Sequence, residues 1–291
     1  MRLRSIELNL SGAAAAADFL INIWGLAPAE TGADGTRYLR GSGPFPYLVA
    51  LTEADGPSIR CTTFVSDEAN IAGIATRARA AGWPVQDTVS TDPGGGQGIL
   101  VQLPEGEVFR LLHGVADAAP IEGRDLPVKL THVVMNAKDA EATASAAEQV
   151  LGFRVSDRTK GMVFVRCNNS HHSVAFARAG HSSLNHIAFE MDDLDAVMRG
   201  IGRLRDSGLV PAWGPGRHGP GDNAFAYFVA PFGAVVEFST AVEIVPDDYH
   251  VGAPEDWTWP KNRIDQWGIS DKDVAALAAA ERNFRYRPLA A

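Results

Sequence analysis

The sequence resembles itself at an offset of about 127 residues. One repeated segment is a run of small residues ending in an apolar-Gly-apolar triplet; its copies are AAAAADFLINIWGL (13–26) and EATASAAEQVLGF (141–153). The other carries an Arg-x-Arg-x-x-Gly pattern at an offset of 126, formed by Arg77, Arg79 and Gly82 in one copy and Arg203, Arg205 and Gly208 in the other. Self-similarity over such a distance predicts a chain of two similar halves.

Each half repeats one pattern twice: a strand, a helix begun by Ser, Asp or Asn and closed by Gly, and then several short strands. The clearest helix starts are Asp67 and Asp192. The pattern predicts an α+β fold of four βαβββ modules, paired into two half-open barrel domains. We expect three units, which are the N-terminal pair (1–118), the C-terminal pair (128–245) and a Pro- and Trp-rich tail (246–291). The tail is expected to cover the active site and to form no further sheet strand.

Composition excludes several classes of protein. A formal net charge of −9 and the lack of Lys/Arg clusters argue against a nucleic-acid partner. Asp18 and Asn22 interrupt the only apolar stretch near the N-terminus, so we expect neither a signal peptide nor a membrane anchor. Two cysteines without CxxC spacing suit a reducing compartment, and we predict a cytoplasmic protein.

The glycine-rich stretch DPGGGQG (92–98) resembles a phosphate-binding loop only superficially. The GK[ST] sequence and the strand-to-helix context of such loops are both missing. We therefore interpret it as a hairpin or surface loop.

Three polar residues interrupt apolar strands in the second half: His132 in LTHVV, His186 in LNHIA and Glu237 in AVVEFS. Burying such groups is costly unless they are hydrogen-bonded or bound to a metal. Taken singly, either histidine reads more simply as a hydrogen-bonded core residue. Together, two imidazoles and one carboxylate form the facial set that suits Fe(II) with open coordination positions, and Mn(II) shares that set.

The segments around these residues resemble the type I extradiol ring-cleaving (catechol) dioxygenases of the vicinal-oxygen-chelate, or glyoxalase/bleomycin resistance/dioxygenase, superfamily. NNSHHSVAF (168–176) and GPGRHGPGDNAFAYFVAPFGAVVEFST (214–240) are similar to that family's motifs. The resemblance implies that His132, His186 and Glu237 bind the metal. It also implies that His172 is the acid–base residue, and that His218 and Tyr227 hydrogen-bond the bound substrate.

Two further positions follow from the repeat and from strand geometry. His171 is expected to be structural, since adjacent strand residues face opposite ways; an error of one position between His171 and His172 is the mistake to check. Arg110 corresponds to Glu237 and Ser5 to His132, so the metal is expected only in the C-terminal half.

The implied activity is insertion of both atoms of O2 into a catechol-type aromatic diol, with meta ring cleavage at a non-heme Fe(II). A compact polyhydroxylated single ring is the expected substrate, in aromatic hydrocarbon catabolism, and a homo-oligomer is expected. The identity of the diol, the choice of Fe(II) or Mn(II) and the mobility of the tail stay open at this stage.

Other functions fit the same scaffold. A glyoxalase-like isomerase or lyase would normally need a fourth protein ligand, and the sequence offers no surplus carboxylate at an equivalent strand position. A non-catalytic binding protein of the bleomycin-resistance type would have no reason to keep a complete ligand set together with His172, His218 and Tyr227. A hydroxyphenylpyruvate dioxygenase-like enzyme would share the triad but typically has a longer chain.

Overall fold

The two halves of the sequence fold into two sheets with the same strand order. The computed structural model describes residues 1–289. The elements of the first half are β1 (Arg2–Leu10), α1 (Ala13–Phe19), β2 (Ala27–Thr31), β3 (Arg37–Arg40), β4 (Val49–Glu53), β5 (Ser58–Val65), α2 (Glu68–Ala80), β6 (Val85–Val89), β7 (Gln97–Gln102) and β8 (Val108–His113). Among the described residues, no helix has the length and apolar character needed to cross a membrane.

The second half repeats this series and is followed by a tail with two short elements. Its elements are β9 (Lys129–Ala137), α3 (Ala140–Ala146), β10 (Arg154–Arg158), β11 (Met162–Arg166), β12 (Val174–Arg178), β13 (Ser183–Glu190), α4 (Leu194–Asp206), β14 (Trp213–Arg217), β15 (Ala224–Val229) and β16 (Val235–Thr240). The tail contains α5 (Val274–Ala280) and β17 (Arg285–Tyr286).

The strand orders confirm the predicted α+β fold of four modules. The first sheet runs β2-β3-β4-β1-β5-β8-β7-β6, and the second runs β10-β11-β12-β9-β13-β16-β15-β14. Within each module the first strand pairs in parallel with the last, as β9 does with β12 and β13 with β16. The two modules of a half join through their antiparallel first strands, β1 with β5 and β9 with β13.

Two details of the sequence interpretation are wrong. Helix α4 is capped by Asp193 rather than Asp192, because the Asp193 side chain is the one that accepts a hydrogen bond from the backbone N of Ala196. The tail was expected to form no further strand, yet β17 pairs in parallel with β5 of the first sheet. The unit boundaries 1–118, 128–245 and 246–291 stay a prediction, and residues 290–291 of the last unit lie outside the described residues.

The repeated triplets mark the ends of two helices. Helix α1 continues into a π-helical turn that ends at Gly25, and α3 continues into one that ends at Gly152. Both glycines have positive φ, 105° and 74°, which a residue with a Cβ adopts only at a steric cost. The apolar-Gly-apolar pattern is therefore a helix stop.

Each of these helix ends packs into the core of the other half. The Trp24 ring stacks on Phe238 of the second sheet, with ring centroids 3.7 Å apart. Phe153 packs in turn against Phe64 and Phe109 of the first sheet, at centroid distances of 5.4 and 6.2 Å. The two halves thus share one hydrophobic core.

The repeated arginines hold this exchange in place. Arg203 donates from Nε to the carbonyl oxygen of Ile23 (2.7 Å) and from Nη2 to that of Trp24 (2.8 Å). Arg77 donates from Nε to the carbonyl oxygen of Val150 (2.8 Å). Because the final carbonyls of a helix lack intrahelical partners, each arginine satisfies a helix end of the opposite half. We call these contacts the reciprocal arginine caps.

Candidate metal centre

Three side chains from neighbouring strands meet on one face of the second sheet. His132 lies on β9, His186 on β13 and Glu237 on β16. The register explains why they meet. Ala188 of β13 pairs with both His132 and Glu237. His186 lies two residues before Ala188 and therefore faces the same side of the sheet. All three side chains are at most 5% exposed.

The donor atoms have the spacing of ligands around a single ion. Glu237 Oε2 lies 3.0 Å from His186 Nε2 and 3.3 Å from His132 Nε2, and the two Nε2 atoms are 3.4 Å apart. Metal–ligand bonds of about 2.1 Å place neighbouring donors about 3.0 Å apart at right angles and about 3.4 Å apart at tetrahedral angles. The set therefore fits a small divalent cation. Its role as a ligand set remains a prediction from sequence.

Surrounding groups orient the donors. Asn185 Oδ1 lies 2.7 Å from His186 Nδ1, which leaves Nε2 to face the other two donors. Asn223 donates from Nδ2 to Glu237 Oε1 (3.3 Å). Burial by itself would raise the pKa of Glu237, but the interactions with His132 and His186 outweigh it and hold the pKa below its usual value. The carboxylate is thus kept ionised.

Among the described residues, the cluster of potential metal donors contains these three groups and no fourth. A comparison of the two modules of this half explains the absence. In the second module, Ala188 lies two residues after His186 and pairs with Glu237 on the last strand. In the first module, Val134 lies two residues after His132 and pairs with Ala175 on the last strand. Ala175 therefore occupies the position equivalent to Glu237, and it is fully buried. The methyl group of Ala175 on β12 therefore occupies the position at which the first module would supply a fourth ligand.

A cavity of about 310 Å³ opens beside the donor cluster and is lined by His132 and His186. His172, His218 and Tyr227 line it, together with the apolar side chains of Val134, Met162 and Phe164. The tail contributes Trp259, Ile264, Lys272, Leu277 and Glu281 to its wall. The tail residues thus lie at the site, as a cover would.

His172, His218 and Tyr227 are buried polar groups with shifted pKa values. The His172 ring centroid is 4.2 Å from that of His132, and His218 Nε2 lies 3.0 Å from the Tyr227 hydroxyl. Burial lowers the pKa of His172 well below its usual value and that of His218 to about 3. Burial also raises the pKa of Tyr227, and Glu237 adds to the effect. The imidazoles are thus neutral and the phenol protonated at pH 7.

Several residues of the site were not anticipated from the sequence. They are Asn185, Asn223, Trp213, Lys272 and Glu281. Asn185 and Asn223 had one usable signal, because Asn185 directly precedes His186 within β13 and Asn223 directly precedes β15. Lys272 and Glu281 had none, since they approach the cavity only through the path of the tail.

The first half has different chemistry at the positions equivalent to the donors. Ser5, Cys61 and Arg110 stand there, and Glu7 lies between them. Glu7 accepts hydrogen bonds from the Ser5 hydroxyl (2.8 Å), the Cys61 thiol (2.8 Å) and Arg110 Nη2 (2.8 Å). Arg110 Nη1 also lies 2.7 Å from Asp92 Oδ2. An internal ion pair thus occupies the place where the second half clusters its donors.

Replacing Arg110 should expose the cost of this buried charge. Glu7 is 1% exposed, so Arg110→Met leaves a carboxylate without its cation and should lower the free energy of unfolding by about 3–5 kcal/mol. Urea unfolding measures the change. The double variant Glu7→Gln/Arg110→Met removes both charges and should recover at least half of the loss. Equal stability of wild type and Arg110→Met would contradict a structural ion pair.

A facial set of two imidazoles and a carboxylate with the spacing for one metal ion, carried by paired βαβββ modules, is the arrangement of the vicinal-oxygen-chelate fold. The family model described as the glyoxalase/bleomycin resistance protein/dioxygenase superfamily matches residues 129–238. The structure is similar to that of the Mn(II)-bound glyoxalase from Novosphingobium aromaticivorans, with 31% identity, a TM-score of 0.86, and coverage of 94% of this chain and 93% of that one. The chain belongs to this superfamily.

Two curated relatives carry dioxygenase names. Metapyrocatechase 2 from Cupriavidus necator is 29% identical over 42% of this chain, and 2,2',3-trihydroxybiphenyl dioxygenase from Sphingomonas paucimobilis is 28% identical over 44%. The chain spans less than half the length of these relatives, 39% and 48% respectively.

Proposed function

We propose that the protein is an extradiol dioxygenase that cleaves a catechol-type aromatic ring with O2 at a non-heme Fe(II). The observation that carries the proposal is the convergence of His132, His186 and Glu237, with a lined cavity on one side of them. Mn(II) fits the same donors and is the metal named for the similar glyoxalase. Cys61 and Cys167 are unpaired, which supports a reducing, cytoplasmic setting in which iron stays ferrous.

His132, His186 and Glu237 would hold the iron through one donor atom each. When bound, the metal supplies open coordination positions at which a diol and O2 can meet. The protein's contribution is a buried pocket with few mobile dipoles, where fixed donors act more strongly than in water. Val134, Met162 and Phe164 provide its apolar wall.

The three polar residues of the wall suit complementary tasks. His172 is neutral and buried, so it can accept a proton from the substrate and return it later. Tyr227 remains protonated, so its hydroxyl can donate a hydrogen bond to a substrate oxygen as negative charge develops there. His218, 3.0 Å from that hydroxyl, fixes its direction.

The cavity favours a small substrate. Its volume of about 310 Å³ lies at the lower end of the range of about 300–1,000 Å³ found for small-molecule sites. Trp213 and Trp259 limit it on the side of the tail. We therefore propose a single polyhydroxylated ring as the substrate, in preference to a biphenyl.

A glyoxalase-like isomerase is the second candidate, because the similar Novosphingobium protein carries that name. Ala175 weighs against it. Glyoxalase chemistry normally uses four protein ligands, and the position equivalent to Glu237 carries no donor here. A three-ligand set instead leaves a position for the second oxygen of a chelating diol.

Turnover assays on the metal-loaded protein distinguish these candidates. Protein reconstituted without oxygen with Fe(II), and in parallel with Mn(II), is mixed with single-ring and biphenyl diols in air-saturated buffer. We expect oxygen uptake and a yellow ring-fission product, faster with single-ring diols. Activity only on a methylglyoxal–thiol adduct would overturn the proposal in favour of the isomerase. Failure to retain either metal would favour a binding protein.

A further inference from the structure

Behind His172, away from the cavity, lies a chain of two more buried ionisable groups. His172 Nδ1 is 2.9 Å from His171 Nδ1, and His171 Nε2 is 2.5 Å from Asp157 Oδ2. Asp157 and His171 are fully buried, and His172 is 2% exposed. His171 and Asp157 touch neither the cavity nor the candidate ligands, so the reaction described above gives them no role.

The other partners of Asp157 indicate the direction of this chain. Asp157 accepts from the backbone N of Gly252 and from the Tyr249 hydroxyl, so we assign it as the acceptor of a hydrogen bond from His171 Nε2 as well. A neutral imidazole that donates from Nε2 has a lone pair on Nδ1, which can accept only from a protonated Nδ1 of His172. With both rings neutral, His172 then carries its proton on Nδ1. Its Nε2, which has no protein hydrogen bond among residues 1–289, keeps its lone pair for the cavity.

Asp157 is itself held on both oxygens. Its Oδ1 accepts from the backbone N of Gly252 (2.7 Å), and its Oδ2 accepts from the Tyr249 hydroxyl (3.3 Å). A Cβ on Gly252 would lie 2.6 Å from Oδ1, so only glycine permits this contact. A β-bulge between Val155 and Asp157 on β10 interrupts the regular register at this point. The tail and the bulge together fix the carboxylate.

We propose that Asp157 and His171 are positioning residues that hold His172 with the lone pair of its Nε2 toward the cavity. A buried aspartate serves the histidine of a Ser-His-Asp triad in the same way, by fixing its tautomer and orientation. Here a second imidazole stands between the carboxylate and the acting ring. The inference rests on the proposed function, in which His172 accepts a proton from the substrate.

Two replacements test the effect on turnover. Asp157→Asn keeps the shape but loses the obligatory acceptor, and His171→Gln keeps a bridging group but not the imidazole. Each should lower kcat by about 10- to 100-fold, the usual range for such supporting partners. Metal content and the affinity for a diol without oxygen should change less than about twofold, since neither residue contacts the cavity. A purely structural role would alter affinity and metal content together with kcat.

Ser156→Ala is the matched control. The Ser156 hydroxyl donates to the backbone carbonyl of His171, so its loss disturbs the same segment without touching either ring. Its kcat should stay within about twofold of wild type. If Ser156→Ala loses as much activity as Asp157→Asn, or if Asp157→Asn is as active as wild type, the positioning role is wrong.

A second measurement does not depend on activity. Ring nitrogen NMR of the zinc-loaded wild-type protein, labelled with ¹⁵N-histidine and assigned with His171→Gln, reports which nitrogen of each ring is protonated. We expect a proton on Nδ1 of His172 and on Nε2 of His171. Protonation of His172 on Nε2 would overturn the inference even if the enzyme is active. If the wild type cleaves no diol, the proposed function fails while this result still decides the tautomer.

Discussion

Glu237→Ala is expected to abolish metal retention and, with it, all ring cleavage. Glu237 supplies the only negative charge among the three donors, and its Oε2 lies within 3.3 Å of both imidazole donors. Two neutral imidazoles alone bind Fe(II) weakly. Loss of a residue that only hydrogen-bonds to a metal ligand typically lowers the metal affinity by about 10- to 100-fold, and loss of the ligand Glu237 itself should lower it further. Metal analysis after reconstitution and gel filtration measures the loss.

Glu190→Ala provides the control for this experiment. Glu190 ends the same strand as His186 but pairs with Lys129 at 3.2 Å, and its side chain is 31% exposed. This variant should retain metal and activity. Full metal content in Glu237→Ala would show that the ion binds at another site.

His172→Ala should have the complementary effect of retaining the metal and losing turnover. His172 lines the cavity and packs against His132, but it is not one of the clustered donors. Removing a general acid–base residue typically costs about 10²- to 10⁴-fold in rate. We expect a loss of kcat within that range, with the metal content of wild type, measured as oxygen uptake per bound iron.

His250→Ala is a suitable reference, because His250 is exposed and lies outside the cavity. It should behave as wild type. Equal metal loss in His172→Ala and Glu237→Ala would mean that the division between metal-holding and proton-transferring residues is wrong. Wild-type turnover in His172→Ala would remove the acid–base assignment alone.

The repeat in the sequence was enough to predict four βαβββ modules in two similar halves, because one pattern recurs four times along the chain. The register bears out the alignment of the halves, since Ser5 pairs with Thr63 as His132 pairs with Ala188. It also explains why three distant positions could be grouped. Residues at equivalent places on neighbouring strands necessarily face the same side of a sheet.

The groups that support the site were less predictable. Asp157 is one acidic residue in a short polar segment, and only a bulge and the returning tail bury it beside His171. DPGGGQG was expected to form a hairpin or surface loop, and it does connect β6 with β7. Its Asp92 nevertheless points inward to Arg110. Such contacts depend on how loops return over a sheet, which strand periodicity does not encode.

Because Trp24 and Phe153 each pack into the core of the opposite half, neither half can be removed without opening the core of the other. Deleting the half without candidate ligands would strip an indole from the stack on Phe238 and leave the carbonyl of Val150 without Arg77. The half without candidate ligands therefore supplies packing and a helix cap to the half that carries them. At the positions equivalent to the donors, that half instead closes its own interior with Ser5, Cys61 and Arg110 around Glu7.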